Sequence, residues 1–201
     1  MNKQGLLYTV IITFSVSFVF VAVLSLTNEL VRARIERNQL LRERRSVLNA
    51  FGIETTGTAE DFELYDERIT EVTVEGNRLY QARTDGGTAY GIRFTGSGLW
   101  GTITGALAVR PDLSRMVGMD IIEHNETPGL GGRIDEPWFK RQFRGERIDE
   151  ASIAVSGAGG GDEDKDNARV DAVTGATRTS DSLEAIINRY LERLDELKGA
   201  L

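Results

Sequence analysis

Asp171-Ala172-Val173-Thr174-Gly175-Ala176-Thr177 places small residues and two hydroxyls just ahead of a segment with helical periodicity. Backbone N–H groups at a helix N-terminus attract anions, and a nearby side-chain hydroxyl can be esterified to a phosphate. Arg178 adds a positive charge at the same point. The pattern sets Thr177 immediately before a helix whose N-cap falls at Thr179 or Ser180, with Asp181 in its first turn. The same residues also suit a plain capped turn between strand and helix. Chemistry alone leaves these two readings even.

Two further segments carry groups that could face a flat ligand. Glu123-His124-Asn125-Glu126-Thr127-Pro128-Gly129-Leu130-Gly131-Gly132 has one proline to fix a dihedral and three glycines that permit positive φ. Such a loop can bring backbone N–H groups close to a ring system. On composition a plain turn is the favoured reading, and His124 alone reads as a partly buried hydrogen-bonding residue. Gly96-Ser97-Gly98-Leu99-Trp100-Gly101 surrounds a tryptophan with glycines. The ring could lie on a ligand or pack on the core, and composition favours the core. Ser156–Gly161 is glycine-rich but runs directly into Asp162-Glu163-Asp164. Negative charge there argues against a phosphate-binding loop, and a flexible surface loop is expected.

Other chemistries are excluded by residue type. With no cysteine there can be no disulfide, thiolate metal site, iron–sulfur cluster or cysteine nucleophile within the chain. One histidine cannot build a multi-histidine metal site, and no calcium-loop spacing is read, so no metal ligand is assigned. The net charge of −7 is uneven. Residues 29–50 hold six Arg against three Glu and Lys3 adds one positive charge, which leaves −11 on residues 51–201. An acidic domain without a stripe of Lys and Arg is unsuited to nucleic acid.

The elements that must position these segments follow from periodicity. Leu6 to Leu26 is 21 residues without a charge, roughly 30 Å as a helix, which matches the hydrocarbon core of a bilayer. The run is longer than a signal-peptide core and no small-residue cleavage site follows it, so a retained single-pass anchor in contact with lipid is expected over residues 1–27. Residues 28–60 read as a helical stalk and linker, with Arg and Glu on a solvated face and no i,i+4 ion pair. Residues 61–201 read as a domain. A hairpin over 69–81 turns at Gly76-Asn77, and strands follow at 90–94, 103–109 and 116–122. A short helix covers 136–143, and a strongly amphipathic helix covers 183–197. Strands first and a helix last predict an α+β fold: a transmembrane helix and helical stalk, then a mainly antiparallel sheet with a C-terminal helix.

The three segments, in this order behind an anchor, resemble the FMN-binding subunits of the sodium-translocating NADH:quinone reductase (its C-type subunit) and of the Rnf electron-transfer complex (its G-type subunit). The resemblance rests on His-x-Glu-Thr-Pro-Gly-Leu-Gly at 124–131 and Asp-x-x-Thr-Gly-Ala-Thr at 171–177. Gly98-Leu99-Trp100 is closer to the quinone-reductase form. The resemblance implies FMN joined through a phosphoester to Thr177, attached by an FAD-dependent flavin transferase that recognises Asp171, Thr174, Gly175 and Ala176. It also implies that Leu99, Trp100, His124, Glu126, Thr127, Pro128, Gly129, Leu130 and Gly131 surround the cofactor. No residue is then required as general acid, base or nucleophile. Electron transfer within a complex of integral membrane subunits is implied, with the flavin domain on the periplasmic, extracytoplasmic side of the cytoplasmic membrane. The Arg-rich flank after the anchor, read by the positive-inside rule alone, implies the opposite orientation. The chain is also shorter than the quinone-reductase form. A stand-alone flavinylated carrier and an anchored binding module without flavin are the other functions compatible with the sequence.

Overall fold

The computed structural model describes residues 3–157 and 159–200. Met1, Asn2, Ala158 and Leu201 lie outside the described residues, as do the side chains of Lys3, Gln4 and Leu6, so the ends of the expected anchor and one position of the glycine loop are not covered. By their internal contacts the residues divide into two units, one up to Leu40 and one from Leu41 onward.

The first unit is the leading part of helix α1 (Lys3–Ala50). Its residues from Leu7 to Leu26 are exposed and largely hydrophobic, and it is the one helix among the described residues long and apolar enough to cross a membrane. Two of its hydroxyls are satisfied within the helix: those of Thr9 and Thr27 donate to the carbonyls of Gly5 and Val23 at 2.9 and 2.8 Å. This is how a hydroxyl is tolerated in lipid, where no water competes for it. Beyond the span, Arg32 and Glu36 do form an exposed i,i+4 pair at 2.9 Å, contrary to the sequence expectation.

The second unit begins at Leu41, inside the segment read as stalk and linker. Its frame is a five-stranded antiparallel meander: β1 (Thr70–Val74), β2 (Asn77–Thr84), β3 (Gly87–Ser97), β4 (Thr102–Val109) and β5 (Met116–Glu123). The β1–β2 turn lies at Glu75-Gly76, one residue earlier than expected. Both residues have positive φ, as a two-residue hairpin turn demands, and the register Val74↔Asn77 leaves only those two in the loop.

Both faces of the central strands are buried, and side-chain size alternates with the pleat. Ile92, Phe94, Ile103, Leu107 and Val109 face a core shared with α3 (Pro137–Gln142) and α4 (Thr177–Leu197). Tyr80, Ala82, Ala89, Ala106 and Ala108 face the end of α1, whose Val47, Leu48 and Ala50, with the following Phe51, form a second core. The small residues allow the helix end to lie close to the strands. At Gly91 a methyl group would come within 2.9 Å of the Phe51 ring. Ser46 Oγ donates to the Ile121 carbonyl, and Asn49 Nδ2 to Asp120 Oδ2 at 2.7 Å, which tie the helix end to β5.

Smaller elements complete the unit. α2 (Asp61–Arg68) precedes β1, a 3-10 turn spans Gly131–Asp135, and β6 (Ala154–Val155) pairs in parallel with β7 (Arg169–Val170). The short helix expected at 136–143 is α3; its Phe139 and the C-cap residue Phe143 are fully buried. α4 starts at Thr177, six residues before the expected start and ahead of the expected N-cap at Thr179 or Ser180. The N-cap residue is Ala176.

Candidate functional site

The acceptor segment is a tight turn feeding α4. Ala176 N–H donates to the Val173 carbonyl at 3.0 Å, and Gly175 takes φ +79°. A side chain at Gly175 would strain that turn. The first helical bond of α4 runs from Ser180 N–H to the Ala176 carbonyl, so the N–H groups of Thr177, Arg178 and Thr179 belong to the open first turn. No side chain caps them. The expected capping residues are occupied elsewhere: Thr179 donates its hydroxyl to Glu126, and the Ser180 hydroxyl accepts the Val173 N–H at 3.2 Å. Thr177 and Arg178 are exposed at this end, as are Thr174 and Gly175, while Ala176 is buried.

The loop after β5 carries a second turn of the same construction. Leu130 N–H donates to the Thr127 carbonyl at 3.1 Å, with Pro128 second and Gly129 third at φ +75°. Proline then positive-φ glycine is the signature of a type II turn. Gly132 N–H reaches the same carbonyl at 2.9 Å. Upstream, His124 is partly buried and its Nδ1 accepts the Glu126 N–H at 3.1 Å, which ties off the start of the loop. Leu130 projects outward and is 47% exposed. It approaches the acceptor turn: a methyl group at Gly175 would lie 3.6 Å from Leu130 Cδ2.

The third segment is the tip of the β3–β4 hairpin, closed by Gly98 N–H to the Gly101 carbonyl at 2.7 Å. Trp100 is 69% exposed and Leu99 43%, against the expectation that the ring packs in the core. With Leu130 they are the exposed large hydrophobic side chains of the second unit among the described residues. Exposed apolar side chains on these two loops offer contact area to a ligand.

One side chain joins all three segments. Glu126 is only 4% exposed. Its Oε1 accepts the Trp100 N–H at 3.1 Å and its Oε2 accepts the Thr179 hydroxyl at 2.6 Å. Thr179, Gly98, Asn125 and Gly132 are neighbours of this junction; the sequence offered them as a helix cap and as loop members, not as residues surrounding the cofactor. A methyl group at Gly101 would meet Asn125 Nδ2 at 2.7 Å, and one at Gly132 would meet His124 Cε1 at 3.2 Å. The signal for them is the repeated glycine in otherwise unrelated loops.

Asp171 sits apart from the exposed end. Its Oδ2 accepts the N–H groups of Gly160 and Gly161 at 3.2 and 3.1 Å, and Arg169 Nη2 lies 3.5 Å from Oδ1. Gln142 brackets its backbone, donating to the Asp171 carbonyl and accepting the Asp171 N–H at 2.8 Å. The glycine loop, expected to be a free surface feature, is therefore anchored on the acceptor segment. At Gly159 a methyl group would come within 2.7 Å of Thr174 Oγ1.

The arrangement suits an esterified phosphate with an attached planar ring. An uncapped helix N-terminus presents N–H groups and a positive dipole end beside an exposed hydroxyl, and three apolar side chains stand exposed on the adjoining loops. Residues 98–192 match the family model of the FMN-binding domain. The chain is 34% identical over 113 residues to the C-type subunit of the Na(+)-translocating NADH-quinone reductase of Neisseria meningitidis, covering 52% of this chain and 43% of that protein. It is 31% identical over 163 residues to the corresponding Yersinia pestis protein, covering 79% and 57%. The chain thus spans about half the length of the curated relatives it matches. The crystal structure of the same reductase component from Parabacteroides distasonis superposes with a TM-score of 0.70 at 26% identity, covering 84% of this chain and 96% of that one. The Shewanella oneidensis NqrC structure superposes with a TM-score of 0.64 at 21% identity, a likeness of fold. The likeness thus covers an FMN-binding domain over residues 98–192 and the fold of the C-type reductase subunits.

Proposed function

We propose that this chain, which carries an FMN-binding domain like that of the NqrC proteins, is a membrane-anchored electron-transfer subunit whose FMN is esterified to Thr177. The observation that carries the reading is the exposed Thr177 at the first position of a helix with no side-chain cap. The residues fit the group. The open N–H groups of the first turn and Arg178 suit the phosphate, and Leu99, Trp100 and Leu130 suit an apolar ring. Bound FMN would supply the electron-accepting and electron-donating chemistry. The chain's own residues tether, orient and shield; none is assigned to proton transfer. Covalent attachment removes the dissociation equilibrium, which keeps the group on an extracytoplasmic domain.

The attachment step is assigned to a flavin transferase using FAD. The Thr177 oxygen forms the new phosphoester bond, the FAD pyrophosphate bond breaks, and AMP leaves. Gly175 and the exposed Thr174 leave the turn open to that enzyme, while Asp171 holds the turn in place from behind. Among the remaining members of the loops, Thr127, Pro128, Gly129 and Gly131 shape the turn that presents Leu130, and His124 fixes the entry of that loop. The chain's partners are integral membrane subunits of a quinone-reductase-type complex. Co-expression with a flavin transferase, followed by denaturing gel electrophoresis, tests the reading. A fluorescent band that disappears in Thr177→Ala supports it, and a dark wild-type band excludes covalent flavin. Affinity purification of the intact membrane protein tests the complex: co-purifying membrane redox subunits support it, and a lone carrier opposes it.

A further inference from the structure

Glu126 belongs by its sequence position to the loop expected to surround the cofactor, yet both of its carboxylate oxygens are already engaged within the protein. Oε1 holds the backbone of Trp100, 26 residues away, and Oε2 holds the hydroxyl of Thr179, 53 residues away. Hydrogen bonds to both oxygens offset the cost of desolvating a carboxylate this deeply buried, which is several kcal/mol when it goes unpaired. The two partners lie on different sides of the candidate site. Trp100 is in the hairpin tip that carries the exposed ring, and Thr179 is two residues beyond Thr177 in the first turn of α4.

The surrounding glycines make room for this carboxylate. A methyl group at Gly98 would run into Glu126 Oε1. One at Gly131 would come within 2.8 Å of Oε2 and 2.5 Å of Thr179 Oγ1. Neither glycine has positive φ, so space rather than backbone conformation demands them. Two glycines from separate loops, a buried acid and a threonine therefore form one junction.

We infer that Glu126 is a positioning residue that locks the Trp100 hairpin tip to the first turn of α4, and so fixes the tryptophan ring relative to Thr177. It acts through Trp100 and Thr179 and does not contact the cofactor. Geometry is its task, so the neutral isostere should serve. The amide oxygen of Glu126→Gln can accept the Trp100 N–H while its NH2 donates to the Thr179 hydroxyl, whose proton is free to rotate.

The inference rests on the flavin reading only for its second readout. In a Trp138→Phe background Trp100 is the sole tryptophan, since the chain has two. Near-ultraviolet circular dichroism and acrylamide quenching of Trp100 are then measured on the full chain in detergent for wild type, Glu126→Gln, Glu126→Ala and Thr179→Val. Each protein is next loaded by a transferase, and the visible circular dichroism of attached flavin is recorded. Glu126→Gln should keep the Trp100 signal. Glu126→Ala should lose dichroism and become more quenchable, and a folded Thr179→Val should change in the same direction. Loaded samples should show the same ranking in the flavin dichroism at equal flavin content. An unchanged Trp100 signal in Thr179→Val, or in folded Glu126→Ala, overturns the inference, as does Glu126→Gln behaving like Glu126→Ala. Wild type that accepts no flavin overturns the proposed function and leaves the Trp100 comparison standing as its own test.

Discussion

Thr174 and Thr177 are both exposed hydroxyls of the acceptor segment, and their places in the backbone separate them. Thr174 is the second residue of a four-residue turn, whereas Thr177 is the first residue of α4 and lies at its positive end. Thr174→Ala should therefore keep some flavin, reduced only by the loss of a residue the transferase reads, and Thr177→Ala should accept none, read as flavin fluorescence on the denatured band. Glu146 offers a separate test in the same domain. Both of its oxygens are buried without a hydrogen-bond partner among the described residues, and Lys165 Nζ stands 3.9 Å away. Burial raises its carboxyl above the ordinary value of 4.5, with Lys165 opposing the shift. A raised acid adds most to stability when protonated, so its contribution is present below pH 4.5 and is lost as the pH rises through the folded value. Glu146→Gln should remove that component: denaturant midpoints measured from pH 4 upward should fall less in the variant than in wild type. Equal pH slopes would contradict the assignment. At this scale the sequence was legible wherever a residue acts locally. Pro128-Gly129 and Gly175 declare their turns by type alone. Glu126 does not, because its partners at 100 and 179 become neighbours only through the tertiary fold.

The strands along the chain and the amphipathic stripe of α4 were readable because hydrophobic period reports directly on one buried face. Burial of the second face was not readable. Ala82, Ala89, Ala106 and Ala108 carry little hydrophobic signal, and Val47, Leu48 and Phe51 follow an Arg-rich stretch that resembles a solvated stalk. Arg44 and Arg45 are instead consumed by the domain: Arg44 pairs with Asp66 at 2.9 Å, and Arg45 pairs with the fully buried Asp61 at 2.6 Å. The early start of α4 was missed for a related reason. Thr179 and Ser180 have the side chains of N-caps, but tertiary and turn contacts claim both hydroxyls. The close approach at the sheet gives a stability prediction. A methyl group at Gly105 would press into the Phe94 ring and lie 2.5 Å from the Asp120 carbonyl oxygen, and a backbone atom cannot yield as a side-chain tip can. Gly105→Ala should destabilise the domain by about 1–3 kcal/mol in urea unfolding, while Gly76→Ala, at a turn with open space, should cost only the strain of its positive φ. A neutral Gly105→Ala would mean that β4 and β5 are less closely apposed than described.

Across the whole chain, charge and membrane attachment pull in different directions. The basic flank of the span favours a cytoplasmic domain by the positive-inside rule, whereas the proposed function places the domain outside the cytoplasm. Part of the basic charge is neutralised within the second unit by Asp66 and Asp61, which weakens its claim on orientation. The chain has no cysteine, so Glu163→Cys on the exposed acidic loop gives a clean topology probe. A membrane-impermeant maleimide should label it in intact cells with a permeable outer barrier, and labelling only after lysis would reverse the orientation. The function itself turns on one bond. Trypsin cutting after Arg169 and Arg178 releases Val170–Arg178, which holds Thr174 and Thr177 together and no other hydroxyl. Fragmentation mass spectrometry of this peptide, from protein matured with its flavin transferase, should place the flavin phosphate on Thr177. Recovery of the peptide unmodified, or with the flavin on Thr174, would contradict the account.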